Sequence, residues 1–215
     1  MTRHSRDMAL AAPDAGRPVL DLSLPGLSLN GTGILGPVTL SVAMGETLAI
    51  TGPSGIGKST LLNLVAGQIT APDQRLTTRG SIGMVYQSPT LLPWRSACHN
   101  LTLTTGLSRT AAAKALAEVG LAGKDRHYPG QMSLGQQRRL SLARAFARAP
   151  QLLLLDEPFV SLDPDLADGM MALFARMRAA RGSAAILVTH SPVEIDRLAS
   201  RVLRLDGKPA TLRPA

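Results

Sequence analysis

Gly52-Pro53-Ser54-Gly55-Ile56-Gly57-Lys58-Ser59-Thr60 decides how this chain is read. A short apolar run, Leu48-Ala49-Ile50, precedes it, and Leu61-Leu62-Asn63-Leu64-Val65-Ala66-Gly67 follows. The first run reads as a buried strand. The second reads as a helix closed by Gly67 at the position past its end, where a left-handed residue is wanted. Strand, glycine loop and helix are the context that the pattern G-x-x-x-x-G-K-[ST] requires. Glycines let the backbone curl so that successive N–H groups point inward, and the helix N-terminus adds partial positive charge. The pattern assigns Lys58 to the β- and γ-phosphates and the Ser59 hydroxyl to Mg²⁺. The stretch therefore implies a site for a nucleoside triphosphate.

Composition bounds the rest. At 215 residues, one sizeable core or two small lobes fit, and two full domains do not. A hydrophobic share of 45% with 18% charged residues marks a folded globular chain. The balance of 23 Lys and Arg against 15 Asp and Glu, a formal +8, suits anionic partners: nucleotide, nucleic acid or a lipid surface. The single cysteine, Cys98, excludes an internal disulfide and a cysteine-rich metal site, and fits a reducing compartment. His4, His99, His127 and His190 lack ligand spacing, so no structural metal is expected. The longest uncharged stretch, Leu22 to Gly45, holds five glycines and two prolines and does not read as a membrane span. Behind the charged residues Met1 to Asp7 there is no apolar core, so no signal peptide is expected and the protein is assigned to the cytoplasm.

Taken in order, residues 1–18 read as a loose polar arm. Strands are predicted at Val19–Leu24, Val38–Ala43, Thr47–Thr51 and Ser81–Tyr86, the first ones separated by the turns of an antiparallel β edge. The connection from Gly67 to Gln87 is short, which predicts a reduced edge there. Residues 88–148 change character: Leu91-Leu92-Pro93-Trp94, an Ala-rich helical run over Thr110–Val119, then Tyr128-Pro129-Gly130. They read as a helical insertion. Ser133 and Gln136 have capping-box spacing and open a helix that ends before Pro150. The run Gln151–Leu155 reads as a strand buried on both faces of a parallel sheet. Asp163-Pro164 starts another helix, Ala184–Thr189 is a further buried strand, and Ser191-Pro192-Val193-Glu194 is a second capping box. A strand over Arg201–Leu205 finishes the pattern. The expectation is a single α/β domain over 19–215: a core of 19–87 and 149–215, with a helical subdomain over 88–148.

Several residues cooperate with the phosphate loop. Leu152 to Asp156 reads as a Walker B strand that buries its leucines and presents Asp156 to Mg²⁺ at its end. Glu157, next along, is placed to orient or deprotonate an attacking water. The order of Gly52 to Ser59, Gln87, Ser133-Leu134-Gly135-Gln136-Gln137, Asp156-Glu157, Ser161-Leu162-Asp163 and His190 resembles the nucleotide-binding subunit of an ATP-binding cassette transporter. The likeness covers about Val19 to Leu205. It implies a P-loop NTPase, RecA-like core hydrolysing ATP with Mg²⁺. It also implies that Gln87 reaches the metal and the attacking water, which an amide can do because it both donates and accepts. Ser133, Gly135 and Gln136 would cap the γ-phosphate of ATP held by a second copy, so that a homodimer sandwiches two ATPs. Asp163 would cross that interface, and His190 would contact the γ-phosphate. Turn residue, helix cap and strand-end histidine are the plain alternatives for Gln87, Asp163 and His190.

Leu91-Leu92-Pro93-Trp94 resembles importers for nitrate, sulfonates such as taurine, and thiamine, in which this region receives a coupling helix of the membrane subunit. Packing of the lobe is the other reading of Trp94. The resemblance implies two transmembrane permease subunits, a periplasmic or extracellular substrate-binding protein, and a peripheral place on the cytoplasmic membrane face. With the chain ending at Ala215, no regulatory domain is expected. A soluble cassette protein acting on nucleic acid or the ribosome is the rival, which the +8 charge permits; such proteins carry paired cassettes or a long coiled-coil insertion, absent here, and no nucleic acid is expected. An exporter ATPase is the third reading. Two departures from the family pattern stand out. Leu134 occupies a usual glycine position, and its side chain is expected to point away from nucleotide. No Phe, Tyr or Trp precedes Tyr86 to stack on adenine, so an aliphatic residue among Leu27 to Ile34 is expected to cover the base, with weak ATP/GTP discrimination.

Overall fold

The computed structural model describes residues 18–215; the loose arm expected over residues 1–18 lies outside them but for Pro18. The elements, in chain order, are β1 (Leu20–Leu24), β2 (Leu27–Leu29), β3 (Thr32–Leu35), β4 (Val38–Val42), β5 (Thr47–Thr51), α1 (Lys58–Val65), β6 (Arg75–Thr78) and β7 (Ile82–Val85). Then follow α2 (Ala97–Thr105), α3 (Arg109–Glu118), α4 (Leu134–Phe146), β8 (Leu152–Asp156), α5 (Pro164–Arg181), β9 (Ala184–Val188), α6 (Pro192–Leu198), β10 (Arg201–Gly207) and β11 (Ala210–Pro214).

The apolar runs occupy the middle of the larger sheet, whose order is β2-β3-β11-β10-β5-β9-β8-β7. From β10 to β7 the pairing is parallel throughout. Successive residues of a strand face opposite sides, and the core divides accordingly. Leu152, Leu154, Ile186 and Val188 pack with α1 and the smaller sheet. Leu153, Leu155, Ala185 and Leu187 pack against helices α2 to α5. This is why continuous leucine, rather than alternation, marks β8.

The smaller sheet, ordered β4-β1-β6, is antiparallel. Strands β1 and β4 alternate buried and exposed residues because only one of their faces meets the core. The short connection from Gly67 to Gln87 holds β6 and β7, four residues each, one in each sheet. Between β7 and β8 the regular elements are helical. Helices α2 and α3 are each capped by a serine, Ser96 and Ser108, whose side chains accept from backbone N–H groups three residues on. No helix among the described residues is long and apolar enough to cross a membrane.

Candidate active site

Parallel pairing brings the carboxyl ends of β5, β9, β8 and β7 to one edge, the place where open α/β sheets bind ligands. The ends of β5, β8 and β7 supply residues to one cleft, and Thr189 and His190 after β9 line a neighbouring one that shares Glu157. The loop from Gly52 to Gly57 leaves β5; Thr189 and His190 follow β9; Asp156 and Glu157 end β8; Gln87 follows β7. Ser54, Gly55, Gly57, Lys58, Ser59, Thr60, Gln87, Asp156, Glu157 and Ile34 line one cleft of about 280 Å³.

The loop's geometry requires its glycines. Gly52, Gly55 and Gly57 have φ of 143°, 73° and 111°, a region other residues avoid. A Cβ on Gly52 would lie 2.4 Å from the Leu205 carbonyl oxygen. Gly57 also caps α1 without supplying any side-chain hydrogen bond, so the first N–H groups of that helix remain open toward the cleft. Lys58 is only 7% exposed, and its Nζ donates to the carbonyls of Gly52 and Pro53, both at 2.8 Å. The ammonium is thus held over its own loop. Ile56 contributes backbone alone, since its side chain packs into the core.

Asp156 and Ser59 line the cleft together with Lys58, so two oxygen donors stand near its ammonium. Burial pushes the Asp156 carboxyl above its ordinary value; Glu157 adds to the rise, while Ser59 and Lys58 oppose it. Paired oxygens of this kind suit a hard divalent cation such as Mg²⁺. Glu157 adopts φ 45°, unusual for a non-glycine residue, and its Oε1 lies 3.5 Å from His190 Nδ1. The imidazole is mostly exposed, free to reach toward a ligand over Glu157.

Ser133, Gly135, Gln136 and Asp163 do not reach this cleft within one chain. Ser133 is exposed at the start of α4, and its capping box is complete: Oγ accepts from Gln136 N at 3.3 Å, and Gln136 Oε1 accepts from Ser133 N at 3.1 Å. Gly135 lies against α5, where a Cβ would meet Leu166 Cδ1 at 2.9 Å, a contact that the leucine tip must yield to admit. Leu134 is 48% exposed, on the outside of the first turn. Asp163 Oδ1 accepts from Leu166 N at 2.9 Å and caps α5. Among the aliphatic residues from Leu27 to Ile34, Ile34 stands in the cleft wall and Leu27 is buried elsewhere. Trp94 is 68% exposed, which argues against packing of the lobe as its role.

The second capping box is corrected. Ser191 Oγ accepts from Glu194 N, but Ser191 N donates to Thr189 Oγ1 instead of to Glu194. The Glu194 side chain turns inward, is buried, and leaves Oε2 without a partner. Burial raises its pKa above the ordinary carboxylate value, with Thr189 and His190 opposing and Glu157 adding. Sequence reasoning missed Glu194 as a neighbour of the site because S-x-x-E spacing accounted for it as a cap. It also missed Arg138, whose buried guanidinium meets the segment after Glu157.

Known proteins resemble this chain in sequence and in fold. The ABC transporter family model matches residues 35–160. The aliphatic sulfonates import ATP-binding protein SsuB 1 of Rhodococcus jostii is 39% identical, over 89% of this chain and 81% of the relative. SsuB 2 of Rhizobium johnstonii is 45% identical, over 80% and 71%. The dimeric post-hydrolysis structure of the ATP-binding cassette MJ0796, bound to ADP and Pi, superposes with a TM-score of 0.77 at 26% identity, covering 91% of this chain and 98% of that one.

Proposed function

This chain belongs to the ABC transporter family, and we propose that it is the ATP-hydrolysing subunit of an importer for an organic anion of the sulfonate type. The observation that carries the reading is the single cleft in which Lys58, Ser59, Gln87, Asp156 and Glu157 converge. The importer assignment and the sulfonate class follow the relatives' names.

ATP binds with its phosphates on the open N–H groups of the loop from Gly52 to Thr60, beside Lys58. Ser59, Asp156 and Gln87 would hold Mg²⁺, which would neutralise charge on the phosphate oxygens. Glu157 orients or deprotonates the attacking water, and His190 reaches the γ-phosphate. A second copy closes the site with Ser133, Gly135 and Gln136, and Asp163 lies between the two copies; that the ATP-binding cassette MJ0796 is dimeric with ADP and Pi bound supports the pairing of two copies. Membrane permease subunits receive the motion, and a substrate-binding protein delivers the solute on the far side of the membrane. The groove of about 420 Å³ lined by Met84, Tyr86, Thr90, Thr104, Arg144 and Arg148 is the place offered to the permease, with Trp94 exposed on the segment that follows Gln87.

Glu157→Gln tests the reading. Binding of ATP should persist while turnover falls about 10²- to 10⁴-fold, the share a general base contributes, and the dimer should accumulate closed in size-exclusion chromatography. Turnover at the wild-type rate would remove Glu157 from its role.

A further inference from the structure

We propose that Arg138, on the helix opened by Ser133, is a positioning residue that holds Glu157 in its working orientation by clasping the backbone of the segment Glu157 begins. The proposal rests on the reading of Glu157 given above. Two features of the segment from Glu157 to Leu162 call for such a clasp. Glu157 and Ser161 both have left-handed backbones, with φ of 45° and 60°. Neither is glycine, and conformations of this kind persist only where the surroundings over-determine them. Hydrogen bonds internal to the segment are long: Val160 N to Glu157 O and Leu162 N to Phe159 O are both 3.4 Å.

Glu157 N is held from outside by Val188 O at 3.0 Å, and Arg138 adds a constraint further along the segment. Its Nη1 donates to Pro158 O at 3.1 Å, and its Nη2 reaches Val160 O at a longer 3.5 Å, the two alternate carbonyls lying between the strained residues. A planar guanidinium can span two acceptors with fixed geometry, which a point-like ammonium cannot. At 6% exposure the side chain is buried, its Nε has no partner, and among the described residues no carboxylate pairs with it. Burial lowers its pKa accordingly. As a packing element Arg138 is therefore a poor choice: an apolar side chain of similar length would avoid the desolvation. What the guanidinium adds is placement of the backbone that carries the Glu157 carboxylate. Ser133 opens the same helix, so the clasp also joins the surface offered to a second copy to the base of this chain's own cleft.

The packing and positioning accounts predict opposite results for Arg138→Met. Positioning predicts that the melting temperature holds or rises while kcat falls about ten- to hundredfold, the scale of a misplacement of roughly 1 Å, with KM for ATP little changed. Arg138→Lys, which keeps the cation without the fork, should lose several-fold in kcat even if the methionine variant folds poorly. In a Glu157→Gln background, adding Arg138→Met should produce no further loss of single-turnover rate. Wild-type kcat in Arg138→Met or Arg138→Lys, or losses that multiply in the double variant, would overturn the proposal while leaving Glu157 in place. Wild-type turnover in Glu157→Gln alone would instead sink the underlying reading.

Discussion

The helices α1 and α4 both present an N-terminus to phosphate in the proposed dimer, yet their first turns are built in opposite ways. Helix α1 starts at Gly57 with no side-chain cap, and the lysine beside its open N–H groups is buried and tethered to loop carbonyls. Helix α4 starts at Ser133 with both halves of a capping box made, and the serine is exposed. The first is an anion site left open within one chain; the second has satisfied itself and faces outward. A serine hydroxyl that accepts from Gln136 N still has its own O–H to give. The difference teaches which half-site one chain can prepare alone and which needs another copy's phosphate.

Removing the open half should cost most. Lys58→Ala takes away the only side-chain cation lining the cleft among the described residues. Its ATPase rate should fall about a thousandfold or more, the upper end for loss of one preorganised donor group, and nucleotide binding measured by calorimetry should weaken or vanish. If Lys58→Ala kept nucleotide affinity, the contrast between an open and a self-satisfied helix start would fail at its stronger end.

The capped half can be broken without touching its fold. Asp serves as an N-cap about as well as Ser, so Ser133→Asp should leave the melting temperature of the monomer nearly unchanged. It replaces an O–H donor by a carboxylate that would face the γ-phosphate of a second copy. Turnover should fall about a hundredfold, within the range for losing an oriented donor, while binding of ATP to the monomer holds. Wild-type turnover in Ser133→Asp would mean that α4 never meets nucleotide, and the dimeric account of the site would fall with it.

The same contrast explains what could be read from residue order. Strands β5, β8 and β9 are legible because both faces are buried, and apolar side chains then run without interruption. The phosphate loop and the cap at Ser133 are legible because each is a local pattern within one turn of chain. The edge is harder. Strands β2, β3 and β11, with three, four and five residues, are not marked out by Leu27 to Leu35 or by Ala210 to Pro214, since short strands exposed on one side carry little periodicity. Helix α2 is obscured by its threonines, poor helix formers, although Ser96 and Gly106 bound it as caps. The contacts of Lys58, Arg138 and Glu194 depend on tertiary placement that no spacing encodes. A buried arginine on a face that reads as polar, and a glutamate that its own cap spacing explains away, are the residues residue order alone hides.

The finest test concerns Leu134, where a side chain stands at the first position of α4. In the structure it is 48% exposed, whereas Gly135 beside it is packed against Leu166. The two positions therefore differ in what surrounds them: a Cβ at Gly135 would press on the Leu166 side chain, and the Leu134 side chain is half exposed. Leu134→Gly removes a half-exposed side chain, and costs about 1 kcal/mol of helix propensity. Turnover should stay the same or rise, because the first turn of α4 becomes more accessible to a neighbouring copy's phosphate. A fall beyond about fivefold, ~1 kcal/mol in the barrier, would mean that the leucine itself contacts the partner or its nucleotide. The outward face of α4 would then be an active surface shaped by this side chain, rather than a capped end that merely admits one.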